Sequence, residues 1–390
     1  MDHAAIDALP YSFAKLDDLM EKAGIDVLLV TSKHNTQYLL GGYRFIFFSA
    51  MDAIGHSRYL PVVVYTRGAP ERTAYVANKM ESGEHANRPF WTPHFLPMSW
   101  GSVDSISEAI RHLKDQGTAS PRIGVEPSFL PMNSAKALEA AFPNTPLIDA
   151  TGVMERLRAV KTPAELALLK QATEAISASM QATIAASGEG DSKVRIIDRL
   201  RQEETSRGLT FEYCLLTLGG SHNRAASAQT WNRGEVLSID SGGNLGGYIG
   251  DICRMGVLGE PDAELVDLLG EVETVQQAAF AKIRAGALGG DLIASGEAEL
   301  ARQPNRSCTD FFAHGMGVIT HEAPFLMTNH PVAYEGSDAS QPLEAGMVLS
   351  VETTMLHPRR GFIKIEDTLA VTDSGYELFG TEGRTWNVAG

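Results

Sequence analysis

Apolar residues recur at helical spacing through Phe13, Leu16, Leu19 and Met20, and the run that follows, Ile25-Asp-Val-Leu-Leu-Val30, is almost wholly apolar. Steps of three and four residues gather side chains on one helix face, Gly24 is placed to cap that helix, and a short apolar run after it reads as a buried strand. Further strands are expected at Val62 to Tyr65, Thr73 to Val76 and Ile123 to Glu126, with helices near 104–115 and 132–141. Residues 1–157 therefore read as one three-layer α/β domain.

The clearest punctuation downstream is Thr162-Pro163-Ala164-Glu165. A threonine N-cap, a proline at the first helical position and a glutamate three residues after the cap form a helix start in which two orphan backbone donors are satisfied. A long helix is predicted over Leu166 to Ala186, a second over Lys193 to Arg207, and two more near 262–284 and 290–302. The domain junction falls near residue 157, and residues 158–390 form the second domain.

Within that second domain the period changes from helix to strand. Glu235-Val-Leu-Ser-Ile-Asp240 alternates, then Gly242, Gly243, Asn244, Leu245, Gly246 and Gly247 precede Asp251. A Gly/Asn cluster between alternating runs is a hairpin signal. A turn centred on Leu245 and Gly246 sets Asp240 opposite Asp251, with Cβ atoms roughly 5 Å apart. Val348-Leu-Ser-Val-Glu352 and Phe362-Ile-Lys-Ile-Glu366 flank Pro358-Arg-Arg-Gly361 in the same manner, a second hairpin with two carboxylates. Between the hairpins, Ala313-His314-Gly-Met-Gly317 and His321-Glu-Ala-Pro324 supply imidazoles in a glycine-containing stretch that lets backbone pass close to a packed site.

Paired carboxylates in a half-buried sheet are costly unless a cation neutralises them or one takes up a proton. Asp240, Asp251, His314, Glu352 and Glu366 offer four carboxylates and one imidazole. That set is too rich in oxygen for a tetrahedral structural zinc and too acidic for one divalent ion, so two ions are expected. Such a pair, ~3.5–4 Å apart, activates water and polarises a carbonyl together.

Composition narrows the partners. With 390 residues, 44% hydrophobic and 21% charged, the chain can bury a large core. Its net charge of −15 argues against nucleic acid and anionic membranes, both of which need a basic footprint. No apolar run approaches the ~20 residues of a membrane span, and Met1-Asp-His-Ala-Ala-Ile-Asp7 lacks the basic start of a secretory signal, so a cytoplasmic location is expected. Cys214, Cys253 and Cys308 show neither metal-type spacing nor an even count for disulfides, and none is assigned a role.

Ile239-Asp240-Ser-Gly with Gly250-Asp251-Ile-Cys-Arg254, His314-Gly-Met-Gly with His321-Glu-Ala-Pro, Ser350-Val-Glu352, and Lys364-Ile-Glu366-Asp367 together resemble the pita-bread metallopeptidases: Xaa-Pro dipeptidase, aminopeptidase P and methionine aminopeptidase, with creatinase as a metal-free relative. The resemblance covers nearly the whole chain. It implies an α+β fold, with a C-terminal pita-bread domain whose helices lie outside a curved antiparallel sheet, behind an N-terminal three-layer α/β creatinase-type domain. It also implies that all five ligands are present, that two divalent ions (Mn, Co, Fe or Zn) are the cofactors, and that the protein is a homodimer acting on a small peptide or small-molecule amide. By the same resemblance, Glu352 is both ligand and proton shuttle and His321 lies behind the ligands, able to hydrogen-bond a developing oxyanion. His222, in Gly219-Gly-Ser-His222, stands near the family's upstream catalytic histidine.

Three departures bear on substrate choice. His222 either fills the family's upstream histidine slot or stands one position out of register, the usual Glu-Pro-Gly reads Glu352-Thr353-Thr354, and the usual arginine before the last glutamate is Lys364. Lysine cannot reproduce a bidentate arginine. The expected function is hydrolysis of a peptide or amide bond in the manner of Xaa-Pro dipeptidase. A creatinase-like C–N hydrolase, a dimethylsulfoniopropionate lyase and a non-enzymatic binding protein are the alternatives.

Overall fold

The computed structural model describes residues 6–48, 58–327 and 337–390; most of the Met1-to-Asp7 opening read for a signal lies outside them. Contacts divide the chain into Met1–Arg158 and Ala159–Gly390.

The first unit runs α1 (Phe13–Lys22), β1 (Val27–Val30), α2 (Lys33–Leu39), β2 (Val62–Thr66), β3 (Ala74–Asn78), α3 (Ser82–Asn87), β4 (His94–Ser99), α4 (Ser102–Asp115), β5 (Ile123–Val125), α5 (Met132–Ala141), β6 (Leu147–Asp149) and α6 (Thr151–Arg158). Its six strands form one mixed sheet in the order β4-β3-β2-β1-β5-β6. α1 starts where the Ser12 side chain accepts from the Lys15 amide, a cap that satisfies one of the first-turn donors. Leu16 and Met20 are fully buried, on the face the spacing assigned to the core. The α2 segment, β4 and β6 were not legible, because each is short and lacks a clear period.

The second unit runs α7 (Pro163–Ala185), α8 (Lys193–Ser206), β7 (Thr210–Leu218), β8 (Val236–Leu245), β9 (Tyr248–Leu258), α9 (Ala263–Phe280), α10 (Gly289–Leu300), β10 (Thr309–Gly315), β11 (Val348–His357), β12 (Gly361–Val371), β13 (Tyr376–Leu378) and β14 (Asn387–Ala389). Thr162 and Glu165 make the reciprocal cap, with the Glu165 side chain accepting from the Thr162 amide at 2.7 Å. The eight strands form one sheet along the path β10-β11-β12-β9-β8-β7, with β13 on β12 and β14 on β9.

Alternation divides this sheet into two faces. Ile239 with Ile176 and Ile196 belongs to one apolar cluster, and Val351 with Val275 and Leu292 belongs to another, so the helices cover the face that carries the odd-numbered residues of β8 and β11. Each such side chain, fully removed from water, contributes about 1.5–3 kcal/mol. The neighbours Asp240 and Glu352 must then point to the opposite face.

The first hairpin turns at Gly246 and Gly247, with φ of 60° and 98°, and Leu245 pairs with Tyr248. Two successive positive-φ residues make the primed turn that matches strand twist, and glycine adopts both without strain. The register is consequently Asp240 with Cys253 and Gly242 with Asp251, a correction to the Asp240–Asp251 pairing expected from a turn at Leu245 and Gly246. The shift is two residues, an even number, so both aspartates stay on one face. In the second hairpin Glu352 and Glu366 are direct partners.

Candidate active site

Two rows of cross-strand neighbours build the site. One passes Phe312, Glu352, Glu366, Cys253, Asp240 and Leu215 across six strands. The adjacent row, two residues along each strand, contains His314 opposite Ser350, and Asp251 and Tyr213 both opposite Gly242. A Cβ at Gly242 would come within 2.3 Å of the Tyr213 ring, so only glycine leaves room for that ring, which hydrogen-bonds Asp251. From these rows Tyr213, Leu215, Asp240, Asp251, Phe312, His314, Glu352 and Glu366 line a cavity of about 440 Å³ together with Arg224, Asp310, Thr320, His321, Thr354, Leu356, Phe362 and Lys364.

Asp251, His314 and Glu366 form the tightest group. One ligand atom from each lies within 4.8 Å of the other two, and all three side chains are buried. The His314 Nδ1 is 3.1 Å from the Gly315 carbonyl, which can only accept, so Nδ1 carries the proton and Nε2 presents its lone pair to the cavity. Burial holds this imidazole neutral, its pKa pushed down to about 4. Its Nε2 faces carboxylate oxygens of Glu352 at 4.0 Å and Glu366 at 3.9 Å. Among the described residues no hydrogen-bond partner meets His314 Nε2 or Asp251 Oδ1. Buried acceptors facing acceptors call for a cation or a proton between them, and this carboxylate and imidazole set fits a divalent ion. Burial, then the neighbouring Glu366 and Asp240 charges, push the Asp251 carboxyl well above the ordinary range, and a bound cation would reverse that push.

Asp240 stands differently. Its Oδ2 accepts from the Lys364 ammonium at 2.7 Å and is paired with Arg224. Lys364 also meets Glu366 Oε2 at 2.7 Å and pairs with Glu352. Burial opposes the ammonium, but Asp240, Glu352 and Glu366 together hold it charged. Ser350 donates to Glu366 Oε1 at 2.8 Å, and Arg254 donates to the Glu366 carbonyl at 2.8 Å while pairing with Asp367 at 3.0 Å, which fixes β12 beneath the site.

His321 lies face to face on His314, with centroids 3.9 Å apart and planes 11° from parallel. The segment folds back because the Glu322 amide donates to the Gly315 carbonyl at 3.0 Å, and a buried Lys161–Glu322 pair at 2.9 Å anchors it. Burial, then His314, lower the His321 pKa to about 4, leaving a neutral ring.

His222 is not brought to this cavity. Its ring is exposed, with Nε2 3.4 Å from the His357 carbonyl. The nearby residue that does line the cavity is Arg224, whose guanidinium also lies over the Phe362 ring at 5.1 Å. Arg224, Tyr213 and Phe312 had no sequence signal of their own. Arg224 sits on a connection without periodicity, and the two aromatics lie on β7 and β10, strands that the sequence pattern did not mark.

The sequence pattern of the metallopeptidase family M24 matches residues 167–373, and that of the creatinase/prolidase N-terminal domain matches residues 13–160. The chain belongs to metallopeptidase family M24 and is a metal-dependent hydrolase. It is 23% identical over 372 residues to the uncharacterized peptidase YqhT of Bacillus subtilis, covering 93% of this chain and 95% of that one. It is 25% identical over 386 residues to creatinase from a Bacillus species, covering 93% and 88%. The fold matches the Xaa-Pro dipeptidase of Bacillus anthracis with a TM-score of 0.79 at 23% identity, covering 96% of this chain and 98% of that one.

Proposed function

We propose that the protein hydrolyses a peptide or amide bond in a small substrate, in the manner of Xaa-Pro dipeptidases. The observation that carries this reading is the buried Asp251–His314–Glu366 group, with unmet ligand atoms on the floor of a cavity of about 440 Å³. That volume suits a dipeptide or a compact amide. A divalent ion held there supplies Lewis acidity. The chain's own residues do the rest. Glu352, half-buried at the cavity edge, is placed to take a proton from the attacking water and deliver it to the leaving nitrogen. His321, a neutral ring, can accept from the Thr320 hydroxyl at Nδ1, 3.1 Å away, which puts its proton on Nε2, the nitrogen that would donate to a developing oxyanion. Phe312, Leu215 and Phe362 give the cavity apolar walls.

A dipeptide is the first substrate class to test, since Xaa-Pro dipeptidases from Lactobacillus delbrueckii and Pyrococcus furiosus are among the relatives. Arg224 on the cavity wall favours a second reading, a small amide or amidine carrying a carboxylate, on which a creatinase-like C–N hydrolase would act. The reading retains a homodimer in the cytoplasm, with residues 158–390 as the catalytic domain. It is compatible with the finding that no helix among the described residues is long and apolar enough to cross a membrane. A panel of Xaa-Pro and other dipeptides, creatine and small amides, offered to metal-supplemented enzyme, tests the reading. Hydrolysis of at least one with release of amine supports it, and none across the panel overturns it.

A further inference from the structure

The expectation of two metal ions meets an obstacle in the side chains themselves. A second divalent ion beside the first would need Asp240 as its own ligand, and Asp240 already serves Lys364 at 2.7 Å and Arg224. The Lys364 ammonium touches oxygens of Asp240, Glu352 and Glu366 at once, so it lies amid three of the four carboxylates that a second ion would share.

We propose that Lys364 is a built-in substitute for the second cation, so that the site takes one divalent ion, held by Asp251, His314 and Glu366 beside Glu352. The proposal rests on the metal-dependent reading above and makes it specific.

Charge supports it. Asp240, Asp251, Asp310, Glu352 and Glu366 against Lys364 and Arg224 leave three negative charges, which one divalent ion reduces to one and two would overshoot. Position supports it as well. Lys364 lies two residues before Glu366 on a central strand, on the same face, and only 3% of its surface is exposed. Its stem is therefore fixed by the sheet. Moving the ammonium aside would strand a buried charge without partners, which proteins avoid. Asp251 Oδ1 and His314 Nε2, in the three-residue group, lack hydrogen-bond partners, as does Glu366 Oε2 beside the Lys364 ammonium, whereas Asp240 Oδ2 accepts from Lys364. Lysine suits this role where arginine would not, because a compact point charge can sit among three carboxylates as a small ion does.

The test is metal stoichiometry, which does not depend on finding a substrate. Purified full-length protein is stripped with chelator, titrated with Mn2+ by calorimetry, and analysed for bound metal after desalting; Mn2+ electron paramagnetic resonance distinguishes isolated ions from coupled pairs. The expected result is one ion per chain and an isolated-ion spectrum, with Lys364→Met rising to two ions and a coupled spectrum. Asp240→Asn is expected to leave one ion, and this variant decides the matter should Lys364→Met not fold. Two ions in the parent protein, or a drop in stoichiometry on Asp240→Asn, overturns the proposal. Binding of no ion by the parent would overturn the proposal and the metal-dependent reading together. One bound ion without hydrolysis of any substrate would overturn the functional reading and leave the single-ion proposal standing.

Discussion

Glu352 and Glu366 stand directly opposite each other on adjacent antiparallel strands, and one ammonium, that of Lys364, pairs with both. Like charges in that position repel, and the lysine turns a costly pair into a stable one. Removing it leaves buried carboxylates unpaired, a change that typically costs about 3–5 kcal/mol. Lys364→Met should lower the stability of the metal-free protein by that order, and added Mn2+ should recover much of it. Thermal unfolding with and without the ion measures both.

His321 is stacked on His314 and hydrogen-bonds with Thr320. Loss of one preorganised donor to a developing oxyanion lowers turnover by about 100- to 1000-fold. His321→Ala should therefore reduce kcat in that range while leaving bound metal unchanged. A parallel loss of metal would show that the ring supports the ligand and does not act on the substrate.

His222→Ala should change turnover by less than about twofold, since exposed substitutions away from a site are usually silent. Arg224→Met should have the larger effect, because it removes a cation that lines the cavity and pairs with Asp240. Steady-state kinetics on both variants gives the comparison, and the reverse order of effects would restore His222 to the site.

Glu204 is fully buried, with Oε1 accepting from Ser241 at 2.9 Å, and burial raises its pKa to about 7. A carboxyl raised in the folded state is favoured there in its protonated form. The folded protein thus binds more protons than the unfolded one between the ordinary glutamate value and about pH 7. Stability from this group is present at low pH and lost as pH rises through that window, by at most about 3 kcal/mol at 1.36 kcal/mol per unit. Glu204→Gln should flatten this dependence and stabilise the protein at pH 8, as read by chemical unfolding across pH.

The ligand-bearing strands were legible because Ile239 and Asp240, Val351 and Glu352, and Ile365 and Glu366 alternate apolar with acidic, the pattern of a sheet with one face under helices. The first hairpin's register was misread by two residues, since a run of four glycines in six positions offers several turns and only the backbone dihedrals choose Gly246 and Gly247. The even slip preserved the shared face. Arg224 was invisible for a different reason: it reaches the cavity from an aperiodic connection, where sequence fixes neither direction nor distance. Alternation puts Lys364 on the face of Glu366, yet what it touches there depends on strand pairings that sequence does not carry.

The most direct test follows hydrolysis and bound Mn2+ together during titration of chelator-stripped enzyme, with Asp251→Ala alongside. The predicted result is activity rising in proportion to ion bound in the parent enzyme and neither binding nor activity in Asp251→Ala, with both proteins folded by circular dichroism. Full turnover by the stripped parent enzyme, or full activity in Asp251→Ala, would contradict a hydrolytic site built on Asp251, His314 and Glu366.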